Sequence, residues 1–263
     1  MFNVGHGHPC DRVGLRTARR VRARCAHLGR RRVVRLRRAA PLAARHRLLL
    51  MDRRGHGRSP DVGGAYGTDY EVDAADIEEL LGEGAHLVAH SYGAAGAMLA
   101  AVRRPELVRS LTLIHPGVLR PAEEHPVIAE TLRRNRRATA ELPPDLTPAD
   151  YLRLSVAGVG MPVPEATPER LRAARSAMRE RPCWDADIPL GPLAAMPCPK
   201  LVISGTWDGA PEEYRKLAGE PLMVAAEFIA SRIGAGHVTV PGYYPHVQEP
   251  GLVNAAIEDL WRA

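Results

Sequence analysis

A serine set between a strand and a helix constrains this chain more than any other feature. Residues 85–90 read as a buried strand, and the alanine- and glycine-rich run from 92 to 103 reads as a helix. Between them, Val88-Ala89-His90-Ser91-Tyr92-Gly93 leaves no room for a loop. Small residues at 89 and 93 suit such a turn, because the helix backbone passes close to the serine. A turn of this kind would lift the Ser91 hydroxyl to the positive end of a helix dipole, which favours a developing oxyanion. The N–H of Tyr92 would be one donor to that oxyanion. A serine that merely caps an ordinary helix is the plainer alternative.

The segments around this turn alternate in a regular way. Arg47-Leu48-Leu49-Leu50-Met51-Asp52 reads as a buried strand ending in a polar turn. Thr68-Asp69-Tyr70-Glu71 has capping-box spacing ahead of Val72, Ile77, Leu80 and Leu81, which predicts a helix. Further strands are expected at 107–115, 199–205 and 237–241, and a closing helix through Leu252, Val253, Ala256, Ile257 and Leu260. Apolar strands alternating with amphipathic helices predict an α/β fold with a mostly parallel sheet covered on both faces. About eighty residues between the third and fourth of these strands lack strand character. Thr147-Pro148 and Thr167-Pro168 each place a capping threonine before a proline at the first helical position. Helices are therefore expected at 126–140, 148–158 and 168–180, forming a helical lid over residues 118–198. The core would then comprise 41–117 and 199–263, with an Arg-rich leader at 1–40.

Charge separates the leader from the rest. The formal net charge is +6, yet fourteen of the 36 basic residues and one of the 30 acids lie within the first 50 positions. The remainder carries 22 basic and 29 acidic residues, so the body of the chain is acidic. Three readings of the leader stand: a nucleic-acid arm, an amphipathic transit-type peptide with Ala18, Val21, Cys25 and Leu28 at helical spacing, or a segment never selected to fold. With an acidic body, nucleic acid ranks low among partners, and a small-molecule substrate ranks first. No stretch approaches the ~18 apolar residues a membrane span needs. Cys10, Cys25, Cys183 and Cys198 show no paired spacing, which excludes a disulfide scaffold or zinc ribbon. Unpaired cysteines without an export signal lead to the expectation of a cytoplasmic protein. His6, His8 and Cys10 are weak metal ligands at best, and no phosphate-binding or dinucleotide loop appears. No metal or cofactor is expected.

A serine hydroxyl needs a base to take its proton and a third group to orient that base. Ser204-Gly205-Thr206-Trp207-Asp208-Gly209 puts Asp208 in the loop after the 199–205 strand, and Gly242-Tyr243-Tyr244-Pro245-His246 puts His246 after the last. Both loops leave carboxyl ends of strands, where the sites of open parallel sheets lie. The order Ser91, Asp208, His246 is that of one known triad arrangement. A helix cap for Asp208 and a surface histidine for His246 are the bland alternatives. His56 and His237 read as structural, His90 reads equally as a pocket-shaping or a packing residue, and Glu123, Glu124 and Asp187 are weaker candidate acids.

On these residues the chain resembles the α/β-hydrolase fold superfamily, specifically its serine-nucleophile, lid-containing members. Asp52-Arg53-Arg54-Gly55-His56-Gly57-Arg58-Ser59 is similar to the family's loop before the elbow. The elbow, Arg104-Pro105-Glu106-Leu107-Val108, Asp208, and His246 followed by Glu249-Pro250 fit in register. The resemblance implies Ser91 as nucleophile, His246 as general base and acid, Asp208 as the orienting acid, and the Tyr92 N–H in the oxyanion hole. It also implies a cofactor-free hydrolase acting on an ester or related acyl compound through an acyl-enzyme. A lyase or acyltransferase on the same scaffold, or a binding-only homologue, are the alternatives. Family members begin with two or three strands and a His-Gly loop that completes the oxyanion hole. Here only Arg31–Leu36 offers a strand before Arg47, so missing or irregular N-terminal strands are expected, and the second donor has no assigned source.

Overall fold

The computed structural model describes residues 14–17, 40–61 and 69–262. In chain order it places β1 (Gly14–Thr17), α1 (Ala40–Arg45), β2 (Leu48–Leu50), α2 (Tyr70–Leu81), β3 (Ala85–His90), α3 (Gly93–Arg103) and β4 (Val108–Ile114). The helical insert follows, with α4 (Pro126–Ala140), α5 (Pro148–Leu154), α6 (Pro168–Ala177) and α7 (Leu190–Ala195). The chain then returns to the sheet with β5 (Lys200–Gly205), the short helix α8 (Glu212–Tyr214), a π-helical turn at Arg215–Gly219, α9 (Glu220–Ile233), β6 (Gly236–Val240), α10 (Pro245–Gln248) and α11 (Pro250–Arg262). No helix among the described residues is long and apolar enough to cross a membrane.

The sheet runs β2-β1-β3-β4-β5-β6. From β3 to β6 every pairing is parallel, whereas β1 lies antiparallel to both β2 and β3. β2 therefore points the same way as β3, and the carboxyl ends of β2, β3, β5 and β6 open on one side. The expected α/β fold is present, and the N-terminal irregularity takes a definite form. One four-residue strand fills the place between β2 and β3, in reverse. That strand is Gly14–Thr17, inside the leader that reads as strandless up to Arg31; residues 31–36 fall outside the described residues, as do His6, His8, Cys10 and Thr68.

Side chains alternate across the sheet as its period of two requires. Leu87 and Ala89 of β3, Leu111 and Leu113 of β4 and Val202 of β5 enter a core shared with α2, α3, α7 and α9. Val88, Ile114, Leu201 and Ile203 face α11, through Val253 and Ile257. A separate apolar cluster joins the insert to the α9 region, through Leu119, Ile128, Leu132, Val156 and Trp184 on one side and Trp207, Tyr214 and Leu222 on the other.

Local signals set most helix starts. Thr147 caps α5 in a full capping box with Asp150, and Thr167 caps α6, each with proline at the first helical position. For α2 the capping residue differs from the expectation. Asp69 accepts from the amides of Glu71 and Val72, one place later than Thr68. Both residue types cap well, so spacing alone could not choose between them. Gly96 lets α3 approach α2 closely: a Cβ there would stand 2.9 Å from the Asp73 Cβ and 3.2 Å from the Tyr70 carbonyl oxygen.

Candidate active site

Ser91 occupies the junction of β3 and α3 with φ of 52°, the left-handed region that side chains other than those of Gly, Asn and Asp rarely enter. Parallel-sheet bonding up to His90 and a helix starting at Gly93 leave only two residues to reverse direction, which forces this conformation. The turn is pinned on both sides. The Ser91 amide donates to the Ile114 carbonyl at 3.0 Å, and the Ser91 carbonyl accepts from Gly117 at 3.1 Å and from Ala94 at 3.0 Å. Strain of order 1–3 kcal/mol is held here by surrounding structure. The side chain is nearly buried, at 8% exposure. Tyr92 follows with helical dihedrals, so its N–H points from the first turn of α3, where helix amides have no intrahelical acceptor.

The two loops that carry Asp208 and His246 are tied to each other. Trp207 N–H donates to the Gly242 carbonyl at 3.0 Å, and Gly242 N–H donates to Thr206 Oγ1 at 3.1 Å. Close contact requires glycine at 205, since a Cβ would run into the Gly242 carbonyl oxygen. Trp207, also with positive φ (64°), is 1% exposed and stacks on His115 with ring centroids 5.4 Å apart. His115 follows β4 directly, is 3% exposed, and its Nε2 accepts from the Gly205 amide at 2.5 Å. An accepting Nε2 places the ring proton on Nδ1. Burial depresses the His115 pKa to about 3, so the ring is neutral.

These supports bring Ser91, Asp208 and His246 to the same end of the sheet without joining their side chains. Asp208 is exposed, and its amide donates to Thr206 Oγ1 at 3.4 Å. No hydrogen bond among the described residues links Asp208 to His246 or His246 to Ser91. His246 lies in α10 and packs its ring on His90, centroid to centroid 4.1 Å. The remaining sequence candidates are peripheral. His56 closes its own turn through the Arg54 carbonyl at 3.0 Å, and His237 pairs with Ser204 Oγ at 2.9 Å on an exposed strand. Glu123 and Asp187 are exposed and lie within 4 Å of Arg136 and Arg120. No group of three or more His, Cys, Asp or Glu side chains among the described residues could hold a metal ion.

Two residues beside the site escape a reading of the sequence. His115 follows a buried strand like many core histidines, and only the approach of β5 and its loop gives the ring a role. Arg53 stands in a loop full of arginines, yet it alone there is 3% exposed, paired with Asp73 and set 3.8 Å from the centre of the Tyr92 ring. A charge count could not separate it from Arg54, which pairs with Asp76 at the surface.

The fold and the strained serine turn are those of one large class of α/β proteins. The chain belongs to the alpha/beta hydrolase family, whose model matches residues 14–256. A hydrolase from Pseudomonas aeruginosa PA01 is 25% identical, with 85% of this chain and 83% of that one covered and a TM-score of 0.56. A thermophilic esterase from Thermogutta terrifontis shares the fold at 21% identity and TM-score 0.58, over 88% and 85% of the two chains. An enol-lactonase from Burkholderia xenovorans LB400 does so at 18% and 0.54, over 88% and 86%. Among curated proteins, one named "Putative carbamate hydrolase RutD", from Azorhizobium caulinodans, is 41% identical over 76 residues. That match spans 28% of this chain and 29% of the relative's length.

Proposed function

We propose that this protein is a cofactor-free serine hydrolase acting on an ester or related acyl compound of low molecular weight. The observation that carries this reading is the positive φ of Ser91 at a strand–helix junction, which presents a hydroxyl beside the Tyr92 amide at the N-terminal end of α3. Ser91 Oγ attacks the acyl carbon while its proton passes to His246, and the oxyanion takes a hydrogen bond from the Tyr92 N–H. His246 then returns the proton to the leaving group, and water, deprotonated by His246, releases the acid from the acyl-enzyme. Asp208 orients His246. In the substrate complex His246 hydrogen-bonds Ser91, in keeping with catalytic hydrogen bonds that tighten only once substrate is bound. Residues 118–198 act as a lid over 41–117 and 199–263, and their apolar contact with the α9 region supports a moderately hydrophobic substrate. A carbamate, as the name of the RutD relative suggests, has an acyl carbon open to the same attack. Cys183 and Cys198, neither in a disulfide, fit a reducing compartment.

A fluorophosphonate probe tests this reading. Labelling of the wild type that disappears in Ser91→Ala is expected; folded wild-type protein that stays unlabelled beside a reactive control would overturn it. The second reading, a binding-only homologue, draws on the solvent exposure of Asp208. It predicts thermal stabilisation by esters with no turnover, unchanged in Ser91→Ala.

A further inference from the structure

Three charged side chains lie buried behind the serine turn. Arg53, Asp73 and Glu180 expose 3%, 1% and 4% of their side chains, and they come from the loop after β2, from α2 and from the segment of the insert after α6. Arg53 Nε donates to Asp73 Oδ2, and Arg53 Nη2 lies 3.0 Å from Glu180 Oε2. The guanidinium faces the Tyr92 ring, 3.8 Å from its centre. A planar cation fits that position, since its edge can serve two carboxylates while its face meets an aromatic ring. Burial of this kind is costly unless each charge is paired, so the three residues hold one another in place.

The segment that supplies Glu180 also grips both residues of the turn. Tyr92 Oη donates to the Arg181 carbonyl at 2.8 Å, and Arg181 is itself fixed by Asp69 at 2.7 Å and by the Tyr70 ring at 4.7 Å. Cys183 Sγ donates to the Gly117 carbonyl at 3.3 Å, and Gly117 N–H in turn holds the Ser91 carbonyl. Insert residues 180–183 therefore reach residue 92 through its ring and hydroxyl, and residue 91 through Gly117. Movement of this segment has no path that leaves the turn untouched.

We propose that Arg53, clamped between Asp73 and Glu180, is a positioning residue that sets the Tyr92 amide and couples it to the insert. It rests on the reading of Ser91 as nucleophile for its catalytic consequence, while the mechanical coupling stands without it. Arg53 touches no reacting atom; it holds the Tyr92 ring, and the ring holds the amide that faces the oxyanion. Three variants divide the contacts. Glu180→Gln removes one charge, Arg53→Lys keeps the charge but loses the planar face, and Tyr92→Phe removes only the tie to Arg181.

Hydrogen exchange read by mass spectrometry should show faster exchange in both the 178–186 and the 91–103 peptides of Glu180→Gln and Tyr92→Phe. Turnover of p-nitrophenyl acetate, per site titrated with fluorophosphonate, should fall about tenfold in kcat for Glu180→Gln and Arg53→Lys, with KM within twofold. Exchange confined to 178–186, or an unchanged kcat per titrated site, would overturn the proposal. Should Glu180→Gln fail to fold, Arg53→Lys still decides the positioning role and Tyr92→Phe the coupling, because both leave every buried charge in place. If the wild type takes up no probe, the reading of Ser91 falls, and the exchange of 91–103 decides the coupling on its own.

Discussion

At the scale of single residues, conformation and protonation carry testable consequences. The left-handed φ of Ser91 costs a non-glycine residue about 1–2 kcal/mol. Ser91→Gly is therefore expected to be more stable than Ser91→Ala by roughly 1 kcal/mol in urea unfolding, with both unlabelled by the probe. His115 offers a pH signature. An unfolded histidine takes a proton near pH 6.5, whereas His115 in the fold does so only at about 3. Between those values the unfolded chain binds more protons, so stability is complete above about pH 6.5 and is lost as pH falls towards 3. The slope from this group is up to ~1.4 kcal/mol per pH unit. His115→Gln can still accept from the Gly205 amide but cannot titrate, and urea midpoints across this range should lose one proton of pH dependence. An unchanged slope would show that another group sets it. The serine itself was legible in the sequence because its neighbours in the chain impose its geometry. His115 was not, because its partners, Gly205 and Trp207, are about ninety residues away.

Elements follow a similar division. The limits of β3, the starts of α4, α5 and α6 and the course of α11 can be read from periodicity, threonine caps and prolines. These are short-range signals, complete within a turn or two of chain. Contact between elements is a different matter. Packing of α2 on α3 depends on Gly96, which in sequence is one small residue among many in α3. Gly96→Ala is expected to destabilise by about 1–3 kcal/mol, because the new Cβ meets Asp73 and the α2 backbone. That loss exceeds the gain in helix propensity of about 1 kcal/mol. Equilibrium unfolding measures the balance, and a rise in stability would show that α2 shifts freely. Disturbing Asp73 this way also bears on the Arg53 clamp, so the same variant should slow turnover. Thr147→Ala, by contrast, removes a cap on the insert at a cost near 1 kcal/mol and leaves the site alone.

Over the whole molecule, β1 decides how the sheet holds together. It is the link between β2 and the parallel strands, pairing Leu15 with Leu49 on one side and with Leu87 on the other. Leu15→Pro takes the amide of this central position out of the ladder. A lower urea midpoint and faster amide exchange in residues 46–52 are expected. Protection of that peptide equal to the wild type would mean that β2 is held by other contacts.

The sequence by itself determined the succession of strands and helices, the strained serine turn, the acidic body beneath a net positive charge, and membership of a family recognisable from residues 52–59 and 88–93. Each of these is written in neighbouring residues or in composition. Only the tertiary structure decided that β1 runs backwards, that His246 packs on His90 with Asp208 left in solvent, and that one arginine of a basic loop is buried under Tyr92. Such outcomes depend on which distant side chains compete for the same space and charge, and local pattern holds no record of that competition.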